Sequence, residues 1–245
     1  DYHLLAGVDH FYFYDWSTDN TREILQPYIN AGIVTYFFYP GRAAQSAAYD
    51  DAIKKFRFHS RYMAFIDADE FIFPQDNRGI VEVVDELLAE KPYASGLALN
   101  WHFFGSSHQE KADYGRDVIE RFVYRAANDN FGLNRNIPLN SGIKNIVNPR
   151  KIAFFSSAHN MWYFDGNYTV NEEGGIVLQS FNMPVTDKKI VLNHYHTKSR
   201  EEYIKRANRG AADGLDHYDQ DKFNEHDQND IFDDRIIEYR NARIK

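Results

Sequence analysis

Apolar and amphipathic segments alternate along the first hundred residues. Aromatic and β-branched runs bounded by glycine, proline or polar clusters predict strands over 7–15, 33–39, 62–66 and 93–104. Apolar residues spaced three or four apart predict helices between them, over 22–31, 42–59 and 80–88. The short connections of this alternation predict an α/β fold with a mostly parallel sheet and helices on its faces.

The rest of the chain is less regular. Short apolar runs predict strands over 142–147, 151–156, 176–180 and 189–195, and helices are predicted over 199–209 and 231–245. Because no boundary is convincing, we expect a single domain over residues 1–245. Its parts are a regular half (1–105), an irregular half (106–210), and an acidic segment with a terminal helix (211–245).

Composition narrows the classes of function. The 245 residues include no cysteine, which excludes a disulfide scaffold, a thiolate zinc site and a cysteine nucleophile. The net charge of −8 argues against nucleic acid as a partner. No apolar run reaches the ~20 residues of a membrane span, and we find no leader. We therefore expect a bacterial cytoplasmic protein, with a leader or anchor upstream of Asp1 left open.

Three carboxylates crowd the end of the third predicted strand, in the sequence Asp67-Ala68-Asp69-Glu70, called here the D-x-D segment. Like charges this close raise each other's pKa, and a divalent cation offsets them. In an extended segment Asp67 and Asp69 point to one side and can bind one metal ion. A solvated acidic loop is the alternative, but the position at the carboxyl end of a strand favours the metal site.

Polar residues also follow two other predicted strands. Asp15 ends the first strand, where a carboxylate can accept hydrogen bonds from a base or a ribose, or simply form a turn. His194 and His196 share one face of an extended segment, so one or both can complete a metal site. Lys198 can contact a phosphate beside the helix that starts near Ser199. One buried histidine with surface neighbours is the alternative.

Two further stretches are weaker candidates for contacts with a ligand. Trp101 and Ser107 belong to a stretch that is first aromatic and then small and polar, and His159 lies in a second polar stretch. The flat apolar faces of sugar rings stack on such aromatic side chains. A core residue followed by a turn is the plainer interpretation.

Four blocks resemble glycosyltransferase motifs, in the order in which the family has them. Residues 14–21 are similar to the D-D-G-S-x-D-x-T segment of family 2, and 65–71 resemble its D-x-D region. The opening block 7–15, the D-x-D-E-F block and the blocks at 101–107 and 194–199 resemble glycosyltransferase family 92 and its bacterial relatives more closely. The resemblance covers residues 1–210.

This resemblance implies a GT-A fold, with a Rossmann-like sheet and an irregular C-terminal acceptor half. It also implies a UDP-hexose donor, a Mn²⁺ or Mg²⁺ ion and a glycan or glycolipid acceptor. By position, the donor-binding residues are Asp15, Gln45, Asp67 and Lys198, and the metal ligands are Asp67, Asp69 and His194. Gln45 stands where family 2 often has arginine. The family's opening strand has no counterpart, so we expect the sequence to begin after it.

The predicted reaction is an inverting sugar transfer to a hydroxyl group. The expected acceptor contacts are Trp101, Ser107 and His159. A carboxylate would deprotonate the acceptor hydroxyl. The candidates are Glu70 and, in the irregular half of the chain, Glu120 and Glu173. Asp113 lies in the same half and is a further candidate. A non-catalytic glycan- or nucleotide-binding relative and a metal-dependent nucleotidyltransferase are the alternatives.

Overall fold

The computed structural model describes residues 1–41, 44–132, 136–209 and 222–244, which form a mixed α/β structure. The helices are α1 (Tyr2–Leu5), α2 (Thr21–Asn30), α3 (Gln45–Phe56), α4 (Ile80–Leu88), α5 (Val118–Arg121), α6 (Arg200–Arg209), α7 (Phe223–His226) and α8 (Arg235–Arg243). The strands are β1 (Phe11–Asp15), β2 (Val34–Phe38), β3 (Met63–Phe65), β4 (Glu70–Pro74), β5 (Ala94–Phe103), β6 (Tyr124–Arg125), β7 (Ile143–Val147), β8 (Ile152–Ser157), β9 (Asn160–Tyr163), β10 (Tyr168–Val170), β11 (Ile176–Val177), β12 (Ile190–His194) and β13 (Ile231–Phe232).

The chain begins its sheet structure with a parallel pair of strands joined by a helix. β1 and β2 pair from Phe11–Val34 to Asp15–Phe38, and α2 connects them. Gly32 follows the helix at a φ of +72°, a left-handed conformation that glycine adopts without steric cost. The strand–helix–strand unit predicted from the apolar pattern is therefore confirmed.

The central sheet is mixed, which corrects the expectation of a mostly parallel sheet. β10 and β12 run parallel to the long strand β5, whereas β7 runs antiparallel to both β5 and β3. β4 pairs antiparallel with β12. The alternation fails after β3 because a short turn, not a crossover helix, leads to β4, and antiparallel pairing does not need a crossover.

The main core lies between α4 and the central sheet. Ile80, Val83, Val84 and Leu87 recur at helical spacing on α4 and are buried against β4, β5 and β12. Each buried aliphatic side chain stabilises the fold by about 1.5–3 kcal/mol relative to an exposed one. The Glu82 carboxylate accepts the backbone N–H of Gly79 at 2.6 Å and fixes the start of the helix.

A second core fixes α3 beside the hairpin β8–β9. Ala52 and Ile53 of α3 pack with Phe65 of β3 and with Phe155 and Met161 of the hairpin. Because Gln45 opens the same helix, this core also positions the first turn of α3 next to the end of β3.

The C-terminal region differs from its prediction. A helix over 231–245 is wrong at its start, because Ile231 and Phe232 form β13 against β6, and α8 begins at Arg235. Asp233 precedes the helix, because its backbone N–H donates to the carbonyl of Val123 at 2.7 Å and continues the strand pairing. Its carboxylate accepts bonds from Arg125 and Arg235. Residues 210–221 of the acidic stretch lie outside the described residues. In the described part of the chain, no helix combines the length and apolar character that crossing a membrane requires.

Candidate active site

The D-x-D segment forms a tight turn between β3 and β4. The backbone N–H of Glu70 donates to the carbonyl of Asp67 at 3.1 Å. The extended conformation expected from the sequence is therefore wrong, and the two aspartates face different partners. The physical reason is that β3 pairs with β7 and β4 with β12, so the chain must cross between these strands in a short link.

Asp67 lies between the first turn of α3 and the middle of β7. Its Oδ1 accepts the side-chain N–H of Gln45 at 2.5 Å, and its Oδ2 accepts Lys144 Nζ at 3.1 Å. The Asp67 side chain is 39% exposed, whereas Lys144 is fully buried. Two of the expected donor-binding residues, Gln45 and Asp67, are thus in direct contact, on the open side of a buried lysine.

Asp69 faces a different set of partners. Its Oδ2 lies 3.0 Å from Arg206 Nη1 and 3.4 Å from Lys198 Nζ, and its Oδ1 lies 3.8 Å from His194 Nε2. Burial alone would raise the pKa of Asp69, but the charges of Lys198 and Arg206 outweigh it and hold this pKa well below its usual range. Asp69 is therefore an anion surrounded by cations.

Glu70 lies beneath the turn at the start of β4. Its Oε2 accepts the backbone N–H of Asp67 at 2.8 Å and lies 3.6 Å from Lys144 Nζ. Its Oε1 is buried and has no hydrogen-bond partner among the described residues. Burial raises the pKa of Glu70 to about 8; Lys144 opposes this shift, and the carboxylates of Asp67 and Asp69 add to it.

His194 ends β12 directly opposite Glu70. Its ring packs against Trp101, with centroids 4.6 Å apart, and burial lowers the pKa of His194 to about 3. The imidazole is therefore neutral near pH 7. Its Nδ1 is buried 3.9 Å from Glu70 Oε1 and bonds to no atom in the described part of the chain. Unsatisfied buried polar atoms of this kind are rare in stable cores.

These side chains converge from the turn and from the elements around it. We call them the turn cluster: Asp67, Asp69, Glu70, Lys144, His194, Lys198 and Arg206. The structure brings His194, Lys198 and the two aspartates together, as the sequence predicts. Their roles in binding metal or donor stay predictions.

The donor atoms suit a hard divalent cation only in part. Asp69 and His194 offer neighbouring oxygen and nitrogen atoms, which Mn²⁺ and Mg²⁺ accept as ligands. Asp67, the third expected ligand, is instead turned toward Gln45 and Lys144. Within the described ranges, no three histidine, aspartate or glutamate side chains are grouped to hold a metal ion. The expected three-residue site is thus not assembled in this conformation.

Sequence analysis missed two cations of the turn cluster. Lys144 is a single charged residue inside an apolar strand, and that isolation is the signal that could have drawn attention to it. Arg206 lies on α6 and also donates to the carbonyl of His196 at 3.2 Å. Lys198 precedes this helix at a φ of +57°, a backbone conformation uncommon for lysine. Arg42, the first residue of the helix predicted over 42–59, lies outside the described residues.

Asp15 forms a local network at the end of β1. Its carboxylate accepts the N–H and the hydroxyl of Ser17, at 2.8 and 2.9 Å, and the hydroxyl of Tyr36 at 2.9 Å. These are the bonds of a turn-forming aspartate. The prediction that Asp15 binds the nucleoside is not tested by them.

Two of the three expected acceptor residues lie beside the turn cluster. The rings of Trp101 and His159 are 5.5 Å apart, and Trp101 also packs on His194. Gly142 permits this arrangement, since a Cβ there would approach the Trp101 ring to 2.2 Å. The Ser107 hydroxyl accepts the backbone N–H groups of Val123 and Tyr124, and its contact with the acceptor stays a prediction.

The candidates for the catalytic base are dispersed. Glu120 bonds Arg240 of α8 at 2.7 Å, Glu173 is exposed between β10 and β11, and Asp113 accepts the N–H of Gly115. Glu70 belongs to the turn cluster, but its burial beneath Asp67 suits a residue that holds the turn. That one of these carboxylates is the base stays a prediction.

The comparisons with known proteins agree with the motifs. A family model described as glycosyltransferase family 92 matches residues 1–237. No curated protein matches the sequence.

Proposed function

Because the chain belongs to glycosyltransferase family 92, we propose that it transfers a hexose from a UDP-sugar to a hydroxyl of a glycan or glycolipid. Membership in this family makes the protein a glycosyltransferase, with a sugar donor and a glycan acceptor. The proposal adds the nucleotide, the hexose, a GT-A-like arrangement of the mixed α/β fold, and inversion at the anomeric carbon.

The observation that carries the proposal is the convergence of opposite charges at the turn cluster. A departing nucleoside diphosphate gains negative charge as the bond to the sugar breaks. Lys198 and Arg206 are partly exposed cations within 3.4 Å of Asp69, and they can exchange this carboxylate for phosphate oxygens. Fully buried Lys144 contributes a fixed positive charge beneath Asp67.

A metal requirement is part of the proposal. Asp69 and His194 would be ligands of Mn²⁺ or Mg²⁺, and Asp67 would join them only by turning away from Gln45 and Lys144. The ion would supply positive charge at the diphosphate. The neutral state of His194 suits this role, since a metal-binding imidazole must be deprotonated.

The acceptor would lie on the side of Trp101 and His159. Their rings form one wall next to His194, so an acceptor sugar stacked there would approach the turn cluster.

Calorimetry with UDP tests the donor assignment. We expect UDP to bind in the presence of MnCl₂ and to bind at least tenfold more weakly without it. Asp69→Asn should weaken binding, whereas Asp76→Asn, at an exposed ion pair with Arg78, should not. Equal binding of UDP to wild type and Asp69→Asn would overturn the proposal. Inversion is tested separately, by the anomeric configuration of the product in NMR spectra.

A further inference from the structure

Two large aromatic side chains lie next to each other on the outer face of the hairpin β8–β9. Phe154 and Trp162 are directly paired across the strands and are 50% and 61% exposed. Their ring planes differ by 22° and their centroids are 6.2 Å apart. At this separation parallel rings overlap little, so both leave an aromatic face open to water. Exposed apolar patches of this kind often mark binding surfaces.

The hairpin holds this aromatic pair rigidly. Phe155 and Met161, the neighbours of the pair in sequence, point the other way into the α3 core. Asp50 of α3 accepts the backbone N–H of Phe155 at 3.0 Å, and Arg57 donates to the carbonyl of Ile152 at 3.2 Å. Binding of a ligand to the pair would therefore cost little conformational entropy for ordering the backbone of the hairpin.

The pair is continuous with the candidate active site. The turn of the hairpin carries His159, whose ring lies 5.5 Å from Trp101. Trp101 in turn packs on His194 of the turn cluster. Trp162 is three residues after His159, so the exposed pair lies about 10 Å along the strand from the wall that would receive the acceptor sugar.

Polar groups border the pair on the side of that wall. Ser156 and Asn160 lie between the pair and the hairpin turn. The Asn160 amide donates to the carbonyl of Leu178 at 3.2 Å and keeps a second N–H, and the Ser156 oxygen can still accept. Aromatic faces with a rim of hydroxyl and amide groups match a pyranose, which has an apolar C–H face and hydroxyls at its edge.

We infer that Phe154 and Trp162 form a subsite for an extended acceptor, stacking sugar rings that lie beyond the one receiving the new residue. The inference rests on the proposed function, because it assigns the acceptor to this flank of the site. It predicts an enzyme that prefers oligosaccharides to monosaccharide acceptors.

Saturation-transfer NMR with defined oligosaccharides tests the subsite. The probes are linear β-linked tetrasaccharides of glucose, galactose, mannose and N-acetylglucosamine, with the matching monosaccharides. We expect at least one tetrasaccharide to bind the full chain, and Phe154→Ala/Trp162→Ala to weaken it roughly tenfold. Phe154→Tyr/Trp162→Phe should retain binding. Phe232→Ala is the matched control, since this ring is 56% exposed and packs on Tyr124.

The outcomes separate this inference from the proposed function. Equal binding by wild type and the double alanine variant, or no binding of any tetrasaccharide, overturns the subsite while UDP calorimetry still reports on the donor site. Tetrasaccharide binding without UDP binding overturns the proposed function and leaves the subsite intact. The third outcome concerns lipid. If the wild type sediments with phosphatidylcholine–phosphatidylserine vesicles and the double alanine variant does not, while sugar binding is unchanged, the pair contacts lipid and the subsite is overturned.

Discussion

In the described part of the chain, the turn cluster and a second group of buried charges are built differently. The turn cluster consists of the D-x-D carboxylates and the side chains around them. The second, here called the Arg125 cluster, consists of His102, Arg125, Asp187, Asp233 and Arg235.

The contacts of Asp233 with the two arginines of the Arg125 cluster are short hydrogen-bonded ion pairs. Asp233 Oδ2 lies 2.7 Å from Arg125 Nε and 2.6 Å from Arg235 Nη2, and Asp187 lies 3.1 Å from His102. Burial would raise the pKa of Asp233, but hydrogen bonds from Arg235 and Arg125 outweigh it and lower this pKa to about 2. Among the fully buried side-chain atoms of this cluster, His102 Nδ1 is the one without a hydrogen bond to the described residues.

Contacts in the turn cluster are looser. Its ion pairs span 3.0–3.9 Å, against 2.6–3.8 Å in the Arg125 cluster, and Glu70 and His194 each keep an unbonded buried atom within the described ranges. The shift of the Glu70 pKa is upward, opposite to that of Asp233. The Arg125 cluster therefore stabilises the fold. The turn cluster keeps its charges only partly satisfied, as sites that bind charged ligands do.

The largest effect is expected from Lys144→Met. Removing this fully buried cation leaves Glu70 and Asp67 without their shared partner, which should destabilise the protein by about 3–5 kcal/mol. Urea denaturation measures the change. Adding Glu70→Gln to this variant should restore part of the loss, and a double variant no more stable than Lys144→Met would contradict the coupling.

Asp69→Asn should separate activity from stability. We expect transfer, as kcat/KM, to fall roughly 100-fold, or about 3 kcal/mol, because the variant loses one of the proposed ligands of the metal ion. The matched change in the other cluster is Asp187→Asn, which should lower stability and leave kcat/KM near the wild-type value. Equal losses of activity in both variants would erase the distinction between the clusters.

Asp233→Asn should reveal a pH-dependent contribution to stability. The pKa of Asp233 falls from an ordinary value of 3.8 to about 2 on folding, so its ionised form stabilises the fold by about 2 kcal/mol above pH 4. This contribution is lost as the pH falls from 4 toward 2. The stability difference between wild type and variant, measured by urea titration, should therefore shrink across that window, and a constant difference would argue against the ion pairs.

We expect the smallest effect on stability and activity from Glu120→Gln, because Glu120 lies outside both clusters. Its ion pair with Arg240 is 31% exposed on the glutamate side, so its loss should change stability by about 0.2–1 kcal/mol. We expect UDP binding and donor hydrolysis to be unchanged. A large loss of transfer without loss of donor hydrolysis would instead mark Glu120 as the base.

The local elements were largely predictable from the sequence. Strands β1, β2 and β5 and helices α2 and α4 follow from apolar spacing, because their periodicity is strong and their ends carry glycine or proline. β4 is not predicted because its apolar run is short and directly follows the acidic residues. The mixed pairing was missed because apolar patterns do not specify strand direction.

The candidates for the chemistry can be named from the sequence: two aspartates after one predicted strand, and a histidine and a lysine at the end of another. Tertiary structure alone decided what these residues face. Lys144 reaches Asp67 across 77 residues of sequence, and Arg206 reaches Asp69 across 137. Charge compensation depends on distance in space and on burial, which strand pairing and helix packing set, and no local pattern encodes either.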